Sequence, residues 1–401
     1  MNRSISNTCL ALLLPLLAGV SCAQPEFPNW EEALSSGGLA AAEESLAAQD
    51  QTAETAFLLG SVQFLRAFES VFQVRYANFS GELPMVPGMQ ARLPANPDAS
   101  FDPAFVETAL TDALSHLATA DRSLEDAIAG EFAVEVMLGD FWFDIDADGE
   151  RDPWEGLMDI MGQVNTRPGV AVFDGNIRFD TADAEWLKAY VHAVSGMAEF
   201  ALSLDPTPAI RRVIDGREML ASIGAIGATP FVGDDTVLDT IAAVLLTLQG
   251  VPDRDRTRAA HAHFKAMIAH NYSFWDKVEE ETDNDREWLP NAQQTAAFGV
   301  DVAAGAALAW GEVLTEIDAI LDGELLIPYW RVSPRPGSGA DIGLNIRRLL
   351  EEPGDMDIIL WIQGTAAAPF LEQGQLADMS AWGQFLSMTP GNSMLYAIWF
   401  N

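Results

Sequence analysis

The sequence predicts an all-α fold, an irregular multi-helix array with one small β-hairpin. Three observations predict it. Apolar residues recur at helical spacing along most of the chain. Strand-like character is confined to one short stretch, 170–179. With 49% hydrophobic residues over 401 positions, the chain can bury a large core and is too apolar to stay disordered.

Residues 1–23 have the layout of a secretory signal peptide. Arg3 supplies the positive start, Cys9 to Val20 is apolar, and Ser21-Cys22-Ala23 offers small residues before a cut at Gln24. The alternative is a lipoprotein anchored through Cys22, although Gly19 stands where such signals prefer an apolar residue. Residues 24–401 then form one exported helical domain, periplasmic or extracellular. Cys9 and Cys22 are the two cysteines, so this domain has no disulfide framework. No later apolar run reaches the ~20 residues of a membrane span; the best, Ile241 to Leu248, is far shorter.

Helices are expected first at 38–49 and 53–74, with Leu58, Val62, Leu65 and Phe72 on one face. This pair resembles a TPR-like helical hairpin, but no 34-residue repeat follows it. Pro84, Pro87, Pro94, Pro97 and Pro103 mark 83–103 as an extended loop. Asp102-Pro103 opens a helix carrying Leu110, Leu114, Leu117, Leu124 and Ile128. The hairpin follows at 170–179, turning at Asp174-Gly175-Asn176, with the next helix starting near Asp180. Further helices are expected at 184–204, 209–222, 255–281, 292–321 and 342–351. Another runs through Leu238, Ile241, Leu245 and Leu248, with Asp234 as its N-cap.

The most specific stretch is Asp144 to Glu155. Asp144, Asp146, Asp148, Gly149, Asp152 and Glu155 stand at positions 1, 3, 5, 6, 9 and 12 of it. Calcium takes about 6–8 oxygen ligands, and alternate acidic side chains around a glycine turn supply them. The stretch resembles an EF-hand calcium loop. That resemblance implies side-chain ligands from Asp144, Asp146 and Asp148, a carbonyl from Glu150, a water-mediated contact from Asp152 and both oxygens of Glu155. Pro153 suits the first turn of an exit helix. Arg151 at position 8 and the lack of a second such loop set it apart from paired calcium sensors. It is similar instead to the lone EF-hand-like loops of secreted, calcium-stapled proteins.

The chain carries 22 basic and 59 acidic residues, a net charge of -37. That excludes nucleic acid and anionic membrane surfaces as partners and favours divalent cations. The acidic run from Glu279 to Glu287 reads as a solvated helix end. His261 and His263 face different ways on a helix. His263 and His270 share a face but stand about 10 Å apart along the axis, too far for one ion. There is no G-x-S-x-G elbow, no Walker lysine and no cysteine nucleophile. Arg331, Arg335, Arg347 and Arg348 form a basic island, expected to pair with carboxylates and otherwise suited to an anionic ligand. The functional expectation is an exported, calcium-stabilised, non-catalytic structural or binding protein. The alternatives are a metal-dependent hydrolase and a ligand-binding scaffold with an aromatic cleft.

Overall fold

The computed structural model describes residues 29–80, 96–162, 175–226, 236–297, 303, 305–332, 341–389 and 393–400. The expected signal at 1–23, residues 83–95 of the proline-rich loop, the first hairpin strand at 170–173, Asp234 and Arg335 lie outside them. The described chain is mostly helical, as its periodicity predicts.

The chain begins with a helical hairpin, α1 (Trp30–Ala47) and α2 (Ala53–Asn78). Leu34, Leu39, Ala42 and Leu46 of α1 are buried against Leu58, Leu59, Val62 and Phe72 of α2. Helix α1 is broken at Gly37 and Gly38, whose φ of 68° suits a glycine. A Cβ on Gly38 would sit 3.1 Å from the indole of Trp142, so the kink is also where the segment leading into the acidic 144–155 loop is seated. Thr52 and Thr55 build a capping box that starts α2.

Helix α3 (Phe105–Ile128) opens behind Asp102, whose carboxylate accepts from the Ala104 N–H at 2.9 Å. It buries an alanine–leucine stripe, Ala113, Leu117, Ala120 and Leu124, against α2 and α5 (Thr181–Ser203). Helix α5 starts where the sequence places it. Asp180 accepts from Ala182 at 2.8 Å, and Asp183 accepts from the Asp180 N–H at 2.9 Å.

The strand preceding α5 is β2 (Asn176–Asp180), and its antiparallel partner is β1 (Ala133–Met137), with Val136 opposite Ile177. The sequence pairs 177–179 with 170–173; the partner found among the described residues comes from before the acidic 144–155 loop instead. The loop and the short helix α4 (Leu157–Gly162) therefore lie between two paired strands.

Helices α6 (Thr207–Ser222) and α7 (Thr236–Thr247) follow, then the long α8 (Arg254–Glu280), capped by Asp253. Helix α7 departs from expectation in its orientation. Leu238, Ile241 and Leu245 are exposed, and Ala243 is its buried residue. Periodicity identifies a helix, but here the small-residue side meets the protein.

The helix expected over 292–321 spans only Ala306–Leu321 (α9). Residues 291–297 form turns instead, because Asn291 closes the end of α8, donating to the Val278 carbonyl at 2.9 Å. The helix expected over 342–351 is likewise shorter. Ile342–Leu344 is strand β4, between β3 (Ile327–Pro328) and β5 (Leu371–Gln373). Asn345 then caps α10 (Ile346–Glu351) by accepting from Arg348 N–H at 2.9 Å. Pro328 is tolerated because β3 is an edge strand.

Helices α11 (Ile358–Gln363), α12 (Ser380–Met388) and α13 (Ser393–Phe400) complete the fold. Phe385 and Phe400 are fully buried with Phe274, Trp310 and Leu314 of α8 and α9. Trp186 donates to the Trp399 carbonyl at 2.9 Å and Asn271 to the Phe400 carbonyl at 2.8 Å, so α5 and α8 together hold α13.

Candidate calcium loop

The loop's two ends are zipped together by backbone. Phe143 N–H donates to the Glu155 carbonyl and Leu157 N–H to the Phe141 carbonyl, both at 2.9 Å, around a bridge between Trp142 and Gly156. Side chains fix this frame to the first core. Trp142 is buried and its indole N–H donates to the Leu34 carbonyl at 2.8 Å. Phe143 meets Phe72 edge to face at 5.3 Å, and Ile145 is fully buried.

Within the frame, the chain turns tightly at Gly149. Gly149 has φ 77° and donates to both carboxylate oxygens of Asp144, at 3.3 and 3.2 Å. Asp146 accepts from Asp148 N–H at 3.3 Å, and Asp148 accepts from Glu150 N–H at 2.8 Å. Among the described residues, Asp144, Asp146 and Asp148 are the one group of three metal-ligating side chains whose oxygens lie within 4.8 Å of one another. Burial, then the Asp148 charge, raises the Asp146 carboxyl above its usual range.

Glu155, the last expected ligand, is 0% exposed and is not among the three side chains whose oxygens gather within 4.8 Å. One oxygen accepts from Ile145 N–H and the other from Asp152 N–H, each at 2.8 Å. Each oxygen retains a second lone pair for a cation. Burial is the main cause raising the Glu155 carboxyl, with the Asp146 and Asp144 charges adding to it. No lysine or arginine pairs with it among the described residues.

Glu150, expected to contribute its backbone carbonyl, has an exposed side chain, and Asp152, expected to act through a water, is half-buried. The exit helix does not begin at Pro153. Residues 153–154 form a turn and the helix starts at Leu157, because Gly156 is held in the bridge with Trp142. Arg151, at the position usually apolar, turns outward and donates to the Gly139 carbonyl at 3.1 Å.

Sequence reasoning missed the loop's support from α2. Glu69 is fully buried and accepts from Asp144 N–H at 2.9 Å, while Gln73 donates to the Asp144 carbonyl at 2.7 Å. Burial raises the Glu69 carboxyl, and its bonded neighbour Arg66 opposes that shift. The signal was present. Glu69 and Gln73 continue the Leu58–Val62–Leu65 face of α2, so a carboxylate occupies a core position.

The other candidate groups stand apart from the loop. Arg347 pairs with Glu351 at 2.8 Å and Arg348 with Glu372 at 3.3 Å, as expected of the basic island. Arg331 departs from that expectation. It bonds the Gln363 carbonyl and lies over the Trp330 ring. The acidic run is mostly exposed, except that Glu287 is buried and accepts from Asp285 N–H at 2.8 Å. Burial raises nearby Glu281 to about 7. No helix among the described residues is long and apolar enough to cross a membrane. Comparison with protein-family models, curated proteins and solved structures returns no match.

Proposed function

We propose that the 144–155 loop binds one Ca²⁺ and that the protein is an exported, calcium-stabilised helical protein with a structural or binding role. One observation carries this reading. Three carboxylates, Asp144, Asp146 and Asp148, gather within 4.8 Å of one another around a glycine turn. Oxygen-only donors of this kind suit a hard cation. The loop is also tied to both α1 and α2, so an ion there would hold the first core together. Export rests on the sequence of residues 1–23 and is checked by the mass of the secreted chain: a start at Gln24 supports it, and a lipid on Cys22 replaces it with a membrane anchor.

Thermal unfolding with EDTA and with millimolar Ca²⁺ tests the site. A hundredfold excess over Kd stabilises by about 2.7 kcal/mol, a rise of a few degrees for a chain of this size. Mg²⁺ produces much less, because it demands a tighter octahedral shell. The double substitution D146N/D148N removes two ligand charges from the exposed side of the loop and abolishes the calcium response while the fold persists. Equal melting temperatures for wild type in both buffers, with no calcium heat in calorimetry, reduce the loop to an acidic turn.

A further inference from the structure

His263 and His270, which sequence spacing keeps apart, are joined by a third histidine from another helix. His192 of α5 lies between His263 and His270 of α8. Its Nδ1 is 2.9 Å from Nδ1 of His263, and its ring stacks on His270 at 5.5 Å and 12°. The side chain of His192 is 12% exposed, and its Nε2 is 3.3 Å from Asp121 of α3.

The 2.9 Å contact between the two Nδ1 atoms requires that one of them carry a proton and the other offer a lone pair. The Asp121 carboxylate, 3.3 Å from His192 Nε2, favours the proton on that nitrogen by its charge, which leaves His192 Nδ1 the acceptor and His263 Nδ1–H the donor. A first added proton goes to His263 Nε2 and leaves this chain intact. A second would have to enter at His192 Nδ1, where two N–H groups would then face each other.

We propose that the His192–His263 pair is an acid-sensitive latch between α5 and α8, closed only while one of the two facing Nδ1 atoms is unprotonated. Every charged group around it enters the balance. From α3, Asp121 and Glu125 face Lys188, at 2.5 and 3.1 Å. Glu185 of α5 is shared by His270 at 2.7 Å and Lys277 at 2.9 Å. Glu199 attracts a proton to His263 but is itself held by Arg256 at 2.8 Å. With all three rings protonated, Lys188, Lys277 and three imidazolium charges would confront Asp121, Glu125 and Glu185 in one seam.

Burial pushes His192 down to about 4, the neighbouring imidazoles and Lys188 adding to this and Asp121 opposing it. A depressed histidine binds fewer protons folded than unfolded, so its contribution is lost as pH falls from ~6.5 towards 4. The same seam holds α13 through Trp186 and Asn271, so opening it would release the C-terminal helix.

The test uses the full chain in EDTA, so that calcium release plays no part. Urea unfolding of wild type at pH 7.5 and 4.5 is compared with H192Q and with H261Q, whose ring bonds the Leu321 carbonyl on another face of α8. The wild-type unfolding constant should rise roughly fiftyfold more than that of H192Q, and H261Q should follow wild type. Equal pH dependence of wild type and H192Q overturns the latch. If H192Q does not fold, nitrogen NMR of labelled histidine in the wild type decides. At pH 7.5 His192 should be the Nε2–H tautomer and His263 the Nδ1–H tautomer. Protons on both facing Nδ1 atoms at pH 7.5, or both rings doubly protonated in native protein at pH 5.5, overturn it.

Discussion

At the scale of single residues, the loop is a device for concentrating negative charge against burial. Asp146 and Glu155 are both raised above their usual carboxyl range, first by desolvation and then by one another's neighbours. Asp146→Asn should therefore leave the melting temperature in EDTA unchanged or slightly higher, while lowering it in calcium. Glu69 plays a different part. It bonds the backbone of Asp144 from α2 and also holds Arg66. Replacing it with alanine leaves the Asp144 N–H without its acceptor and Arg66 with Glu43 alone, at a cost of about 1–3 kcal/mol. That loss should appear in urea titrations with and without calcium. Glu69→Gln keeps an acceptor, so its effect should fall mainly on calcium affinity, by about 10–100-fold, as read by calorimetry.

At the scale of elements, the loop is placed by two features on helices far from it in sequence. The kink of α1 at Gly38 receives the Trp142 ring, and Glu69 and Gln73 of α2 hold Asp144. Gly38→Ala meets both a φ of 68° and a ring 3.1 Å away, so a loss of about 1–3 kcal/mol is expected, together with a shift of Trp142 fluorescence. Calcium affinity should fall with it; an unchanged emission and melting temperature would show that the kink does not seat the loop. The helices were largely legible because apolar spacing and caps such as Asp180 and Asp253 are local signals. The pairing of 176–180 with 133–137 was not, since strand partners are set by long-range packing, and the alternation in Ala133 to Met137 is brief. The outward face of α7 was illegible for the same reason: Leu238, Ile241 and Leu245 repeat correctly whichever side is covered. Of the candidate site, the acidic residues that gather at Asp144, Asp146 and Asp148 were visible by spacing, whereas Glu69 was hidden inside an apolar stripe and His192 came from a separate helix.

At the scale of the whole molecule, a net charge of -37 ties proton equilibria to folding, and with them the proposed calcium equilibrium. Two sets of groups act with opposite sign. Glu69, Asp146, Glu155, Asp180, Asp183 and Glu287 are raised, and Glu281 reaches about 7, all with burial as the leading cause. A raised carboxyl binds more protons folded than unfolded, so its ionisation cost is absent below the unfolded value and grows as pH rises through the folded one. In EDTA these groups favour the fold as pH is lowered from ~7, against the histidine seam. Calcium changes the balance at the loop alone, because its ligands must be ionised. The calcium-induced rise in melting temperature should therefore be largest near pH 7 and shrink as pH falls through the raised values of Asp146 and Glu155, with protons released on binding. Measuring the melting temperature in EDTA and in saturating calcium from pH 7.5 to 4.5, with calorimetry in two buffers of different ionisation heat, checks both parts. A calcium increment that stays constant over this range, or binding heats that do not depend on the buffer, would remove the loop carboxylates from the calcium equilibrium.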